Sequence, residues 1–292
     1  FKWYKLAAEQ GDATAQNNLG YCYENGRGVA KDAEETFKWY KLAAEQGNAA
    51  AQNNLGYCYQ NGIGVAKNKE EAFKWYKLAA EQGDANAQNN LGYCYRDGIG
   101  GAKIKEEAFK WFKLAAEQGH ADAQNNLGYC YQYGKGVAKD EEEAVKWFKL
   151  AADQGNANAQ IQLGDCYYFG RDVAKNEEEA FKWYKLAAEQ GNAAAQNSIG
   201  YCYQNGIGVA KNEEESFKWF KLAAEQGNAH AQYNLGYCYH HGIGTVKNDK
   251  EAFKWYKLAA EQGDAIAQKN LGDCYRDGIG VAKNEEEAFK WF

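Results

Sequence analysis

The chain has 292 residues and a net charge of −6, with 45% apolar and 15% aromatic residues and neither proline nor methionine. That is ample apolar mass for a core, but no apolar run reaches the ~20 residues that cross a bilayer. The mild negative charge, with bases interleaved among acids, gives nucleic acid and anionic membrane surfaces no electrostatic reason to bind, so neither a nucleic-acid partner nor membrane insertion is expected.

From Phe1 onward the chain repeats itself. Phe1, Phe37, Phe73, Phe109, Val145, Phe181, Phe217, Phe253 and Phe289 recur every 36 residues without an insertion, and nine tryptophans from Trp3 to Trp291 keep the same step. A fixed period of this size reads as stacked supersecondary units, so residues 1–292 are expected to form one array with no linker. A partial leading helix at 1–10 precedes repeats at 11–46, 47–82, 83–118, 119–154, 155–190, 191–226 and 227–262, and a truncated repeat fills 263–292. Both ends fall inside the motif, and no initiator Met or signal-like start precedes it, so the chain is read as a segment of a longer protein.

Within a repeat the first helix starts at a cap, Asp12, Asn48, Asp84 or, less usually, His120, and Gly26 closes it after Asn25. A loop, "GRGVAK" at 26–31, leads to the second helix at 34–46. Asp32 caps that helix with Glu35 three residues on, the spacing of a capping box. The pair returns as Asn68 with Glu71 and at every later copy except Ile104. Gly47 and its counterparts suit the left-handed residue that stops a helix. At 100° per residue the second helix buries Thr36, Trp39, Tyr40, Ala43 and Ala44, with Phe37 and Leu42 at the edges. The first buries Ala15, Leu19, Cys22 and Tyr23 and turns Asn17, Tyr21 and Glu24 the other way. Gly20, in the middle of "QNNLGYCY", costs a helix about 1 kcal/mol relative to Ala and is expected to admit a neighbouring element.

The set Ala15, Leu19, Gly20, Tyr23, Gly26, Gly28 and Val29, continued one period on by Ala72, Trp75, Tyr76, Ala79, Ala80 and Gly83, resembles the Sel1-like repeat, a relative of the tetratricopeptide repeat. The resemblance covers essentially the whole chain. It implies an all-α fold, a right-handed α-solenoid superhelix of stacked two-helix 36-residue repeats, with the first helices lining the concave side. It also implies a role in holding other proteins in complexes; members include adaptors of membrane-protein degradation, activators of cell-wall synthesis and bacterial host-interaction factors. Local departures are Asp172 for the second loop glycine, and Gly101 and Thr245 for the loop valine.

Eight cysteines occur, one per repeat from Cys22 to Cys274, each on the buried face of a first helix. Equivalent positions in adjacent repeats should lie about 8–10 Å apart, beyond the ~7 Å reach of a disulfide, so they read as reduced core residues, which fits a reducing compartment such as the cytoplasm. No C-x-x-C or paired-histidine spacing suggests a metal. His120, His230, His240 and His241 keep no fixed spacing to a nucleophile, and the Gly-x-Gly loop lacks the strand that a phosphate-binding turn requires. No catalytic residue, cofactor or metal is expected.

Comparison among the repeats leaves one variable stripe. Position 18 stays small and polar (Asn54, Asn90, Asn126, Gln162, Ser198, Asn234, Asn270) and reads as a structural hydrogen bond. The equivalents of 14, 17, 21, 24 and 25 vary most and span about 100° of arc opposite the core. The candidate partner-binding residues follow from it. Asn17, Asn53, Asn89 and Asn125 offer amide donors and acceptors. Tyr21, Tyr57, Tyr93, Tyr129, Tyr201 and Tyr237 add rigid contact area. Tyr133, Ile161, Tyr168, Phe169 and Tyr233 stand where other copies are mostly polar. Tyr133, Ile161, Tyr168 and Phe169 are expected to form one apolar patch; the alternative is that Asp172 reshapes its loop and Phe169 turns inward. The chain is thus expected to be a non-catalytic scaffold or adaptor that binds a protein or extended peptide in the concave groove. The rival reading is a regulatory or targeting segment of a larger enzyme-containing polypeptide, kinase-linked or part of a degradation complex.

Overall fold

Short capped helices account for the whole chain. In the computed structural model, which describes residues 1–292, Asp12 accepts the Ala15 amide at 2.7 Å, and Asn48, Asp84, Asn156, Asn192, Asn228 and Asp264 repeat the bond. His120 fills the same role through Nδ1, 3.2 Å from the Ala123 amide. Asp32 accepts from the Glu34 and Glu35 amides, whereas Phe1 and Ile104, at the starts of Lys2–Glu9 and Lys105–Glu117, make no side-chain cap. The reciprocal half of the expected capping box is replaced. The Asp32, Asn68 and Ile104 amides donate to the Tyr23, Tyr59 and Tyr95 carbonyls, tying each second helix to the end of the first. Glu35 instead accepts from Lys38 and from Trp39 Nε1, both at 2.8 Å.

The chain resolves into two compact units, Phe1–Ala151 and Ala152–Phe292. The first holds α1 (Lys2–Glu9), α2 (Ala13–Asn25), α3 (Ala33–Glu45), α4 (Ala49–Asn61), α5 (Lys69–Glu81), α6 (Ala85–Asp97), α7 (Lys105–Glu117) and α8 (Ala121–Tyr133), and the division falls within α9 (Glu141–Asp153). The second holds α10 (Ala157–Phe169), α11 (Glu177–Glu189), α12 (Ala193–Asn205), α13 (Glu213–Glu225), α14 (Ala229–His241), α15 (Asp249–Glu261), α16 (Ala265–Asp277) and α17 (Glu285–Trp291). The fold is all-α, a solenoid of repeated helix pairs, as the periodicity predicts.

Each core cluster joins a second helix to the first helix that follows it. Tyr40, Ala43 and Ala44 pack on Ala51, Leu55 and Cys58, and Phe220, Ala223 and Ala224 pack on Ala231, Leu235 and Cys238. The buried side of α3 is the set read from the sequence, Thr36, Trp39, Tyr40, Ala43 and Ala44. Phe37 meets Tyr59 edge-on at 5.3 Å, a geometry favoured by the ring quadrupoles and repeated by Phe73 with Tyr95 and Phe217 with Tyr239. The eight cysteines are buried thiols.

The glycine inside each first helix is the seat of an aromatic ring. A Cβ on Gly20 would lie 2.7 Å from Tyr40, on Gly92 2.6 Å from Phe112 and on Gly200 2.6 Å from Phe220. The local helix cost of glycine is offset by letting a large ring lie directly on the backbone. The second loop glycine has another cause: Gly64 has φ +65°, and a Cβ there would lie 2.0 Å from the Ala33 carbonyl oxygen. Asp172 at the equivalent place keeps the left-handed conformation, φ +49°, which a short polar side chain tolerates better than most.

A lattice of glutamines completes the framework. Buried Gln16 donates from Nε2 to the Ala8 carbonyl at 3.1 Å and accepts from Gln46 Nε2 at 2.7 Å, linking the ends of α1 and α3 through α2. Gln52 with Gln82 and Gln196 with Gln226 repeat the link. Buried amides need partners at both ends, and these have them.

Candidate protein-interaction surface

The side-by-side asparagines pair between repeats. Asn54 Nδ2 donates to Asn17 Oδ1 at 3.0 Å, Asn90 to Asn53 at 2.9 Å, Asn126 to Asn89 at 3.0 Å and Asn234 to Asn197 at 2.9 Å. These bonds hold α2, α4, α6 and α8 in a row in the first unit, and α12 beside α14 in the second. They bear out the structural reading of position 18 at Asn54, Asn90, Asn126 and Asn234, whereas Ser198 donates to the Ala194 carbonyl of its own helix at 3.2 Å. At position 17 the Oδ1 atoms of Asn17, Asn53 and Asn89 each accept one of these bonds, and Asn89 and Asn125 are buried. The asparagines fix the spacing of first helices, which leaves contact area to the tyrosines.

Those tyrosines divide by what lies beneath them. Tyr21, Tyr57, Tyr201 and Tyr237 are exposed, at 41%, 47%, 46% and 36% of their surface. Tyr93 and Tyr129 are half-buried, each edge-on at 5.4 Å to the ring seated on the neighbouring glycine, Phe112 or Phe148. Cations already rest on some of these faces: Arg27 lies 4.9 Å from the Tyr21 centroid and Arg96 4.5 Å from that of Tyr93.

Among the outliers, Tyr133 and Phe169 are exposed, in the first and second unit respectively. Ile161 and Tyr168 are half-buried against the cluster around Tyr184 and Ile199. Tyr233 is half-buried, tilted against Tyr256 and hydrogen-bonded to Asn270. Phe169 does not turn inward. It stays exposed beneath the Arg171 guanidinium, 4.6 Å away, because Asp172 preserves the backbone turn.

Three features escaped the sequence reading. The glutamine lattice was marked only by Gln16 and Gln46 returning in every full repeat. Position 24 supplies an acceptor for the hydroxyl beneath it, Tyr40 to Glu24 and Tyr76 to Gln60, both at 2.7 Å. In the fifth repeat position 24 is Tyr168, and Asp165 accepts from Tyr184 instead, at 2.6 Å. Third, Leu42, Leu78, Leu114, Leu186, Leu222 and Leu258, placed by helical periodicity at the edge of the core, form an exposed set on the second helices. The histidines make contacts between elements, His230 with Asp264 at 2.8 Å and His240 with Asp249 at 2.9 Å. No helix is long and apolar enough to cross a membrane.

The Sel1 repeat family matches the chain from end to end, over residues 1–12, 13–48, 49–84, 85–120, 121–156, 157–192, 193–228, 229–264 and 265–292. Among solved structures, a protective antigen present in uropathogenic Escherichia coli strains, displaying an SLR fold, is 40% identical with a TM-score of 0.82; the match covers 99% of this chain and 62% of that one, so this chain spans less than two thirds of its length. A Sel1 repeat protein from Oxalobacter formigenes is 34% identical with a TM-score of 0.70, over 99% of this chain and 84% of that one. An immunity protein from Pseudomonas aeruginosa, 22% identical over 71% of this chain and 81% of its own with a TM-score of 0.51, shares the fold alone. No curated protein sequence matches.

Proposed function

This chain belongs to the Sel1 repeat family, and from that membership we propose that it is a non-catalytic scaffold that binds a protein segment on the face its first helices share. The fold is one commonly used to hold proteins together. The observation that carries the reading is the exposure of Tyr21, Tyr57, Tyr201 and Tyr237 above a framework in which asparagines such as Asn17 with Asn54 and Asn53 with Asn90 pair between repeats. A rigid, half-wet tyrosine ring is a favoured hot-spot residue because it contributes area at low entropic cost. Its hydroxyl suits the backbone groups of an extended peptide.

Selection of a displayed random-peptide library on the intact chain tests this. Enriched peptides are expected to bind Tyr21→Ser/Tyr57→Ser or Tyr201→Ser/Tyr237→Ser variants at least about 2 kcal/mol more weakly, the hot-spot scale, while the melting temperature stays nearly constant. Failure to enrich any peptide, or full retention by both double variants, refutes the reading.

A further inference from the structure

Two first helices carry aspartate where the other six carry the position-21 tyrosine, Asp165 and Asp273. Each lines a cleft in the second unit, of about 210 Å³ at Asp165 and about 270 Å³ at Asp273. The chemistry differs. Three residues after Asp273 stands Arg276, whose guanidinium closes an ion pair with it at 2.7 Å. Three residues after Asp165 stands Tyr168, and the nearby Arg171 is drawn off over the Phe169 ring instead.

The Asp165 cleft has Tyr184 as its buried floor and Tyr168, Phe169 and Tyr201 as walls, with Tyr168 and Phe169 edge-on at 4.8 Å. The Tyr184 hydroxyl takes Oδ1 of the carboxylate. Burial raises the Asp165 pKa above the usual carboxylate range, against the opposing effects of Tyr184 and Arg171. Lys175 Nζ, held by Glu177 at 2.8 Å, also lies 5.8 Å from the Tyr168 centroid, within cation–π range. A metal does not suit the site, because Asp165 and Cys202 belong to no group of three or more side chains placed to ligate one. The volume is below the ~300–1,000 Å³ of small-molecule pockets, and fits one side chain.

We propose that this cleft binds the organic cation at the end of one basic side chain, a lysine ammonium or an arginine guanidinium, presented by the partner segment; the identity of the source as a protein rests on the scaffold reading above. The carboxylate neutralises the charge and the rings clasp the head and the last methylenes.

The test is titration of the intact chain with n-butylammonium, n-butylguanidinium and the neutral n-pentanol, following the ring resonances of Tyr184 and Tyr201. Saturable shifts with either cation and not with the alcohol are expected, and the cation that saturates first assigns the side chain. Asp165→Asn keeps an oxygen for the Tyr184 hydroxyl, so the fold is retained, and should weaken cation binding about tenfold or more. Asp165→Tyr restores the residue of the other repeats and should abolish it. Equal shifts with the alcohol, no saturation with either cation, or unchanged binding by Asp165→Asn overturns the proposal. Such a failure leaves the tyrosine-dependent capture of displayed peptides standing, and cation binding without peptide capture would sink the scaffold reading alone.

Discussion

Raising the pH from 8 towards 11 is expected to unfold the protein steeply. Burial pushes Cys58, Cys94, Cys202, Cys238 and Cys274 up to about 12 and Cys130 up to about 11. In the unfolded chain a thiol ionises near 8.5. The folded pKa is the higher one, so the stabilising contribution is complete below pH ~8.5 and is lost as pH rises towards the folded value. Each thiol then removes about 1.4 kcal/mol per pH unit, and each compact unit carries three of those named. Over two pH units the loss becomes comparable with the ~5–15 kcal/mol that holds a domain folded. Buried Tyr40, Tyr76, Tyr184 and Tyr256 are raised in the same direction. Melting curves against pH measure the slope, and each Cys→Ala replacement should lower it by one group between pH 9 and 10. A flat melting temperature to pH 11, or native thiols that react with disulfide reagents at pH 8 as fast as unfolded ones, would contradict this account of the core.

The second large effect concerns the ring on its glycine. Phe112 is fully buried against Gly92 and beneath Tyr93, so Phe112→Ala should cost about 3–5 kcal/mol. Gly92→Ala tests the same contact from the other side. By helix propensity alone it should stabilise by up to ~1 kcal/mol, but the added methyl would lie 2.6 Å from a ring with no room to move. Overpacking of that severity typically costs ~1–3 kcal/mol or more, so net destabilisation is expected. Leu114→Ala, on the exposed side of the same helix, should cost well under Phe112→Ala. Urea titration separates the three; a stabilised Gly92→Ala would show that the glycine has no packing role.

The helix pairs, their caps and their buried faces were legible because period, cap chemistry and helical geometry are local properties. The seat under each ring was legible only as a question, since Gly20 announces an approach without naming Tyr40, which lies a helix away. The asparagine ladder was half legible: the restricted choice at position 18 signalled a bond, but its acceptor, Asn17 one repeat back, was read as a ligand group. Leu42 and its copies misled because an apolar residue at the edge of a helical arc is buried only if a neighbour reaches it. The fifth-repeat cleft depended on three changes at once, Asp165, Tyr168 and Ser198, whose proximity only the packing reveals.

The rival to the tyrosine face is that exposed leucine set, and one measurement distinguishes them. Photo-crosslinking residues are placed singly at Tyr57 and Tyr201 on first helices and at Leu78 and Leu222 on second helices, all exposed, and a selected peptide is added. The scaffold reading predicts crosslinks from Tyr57 or Tyr201 and none from Leu78 or Leu222; crosslinks from the leucine positions alone would contradict it.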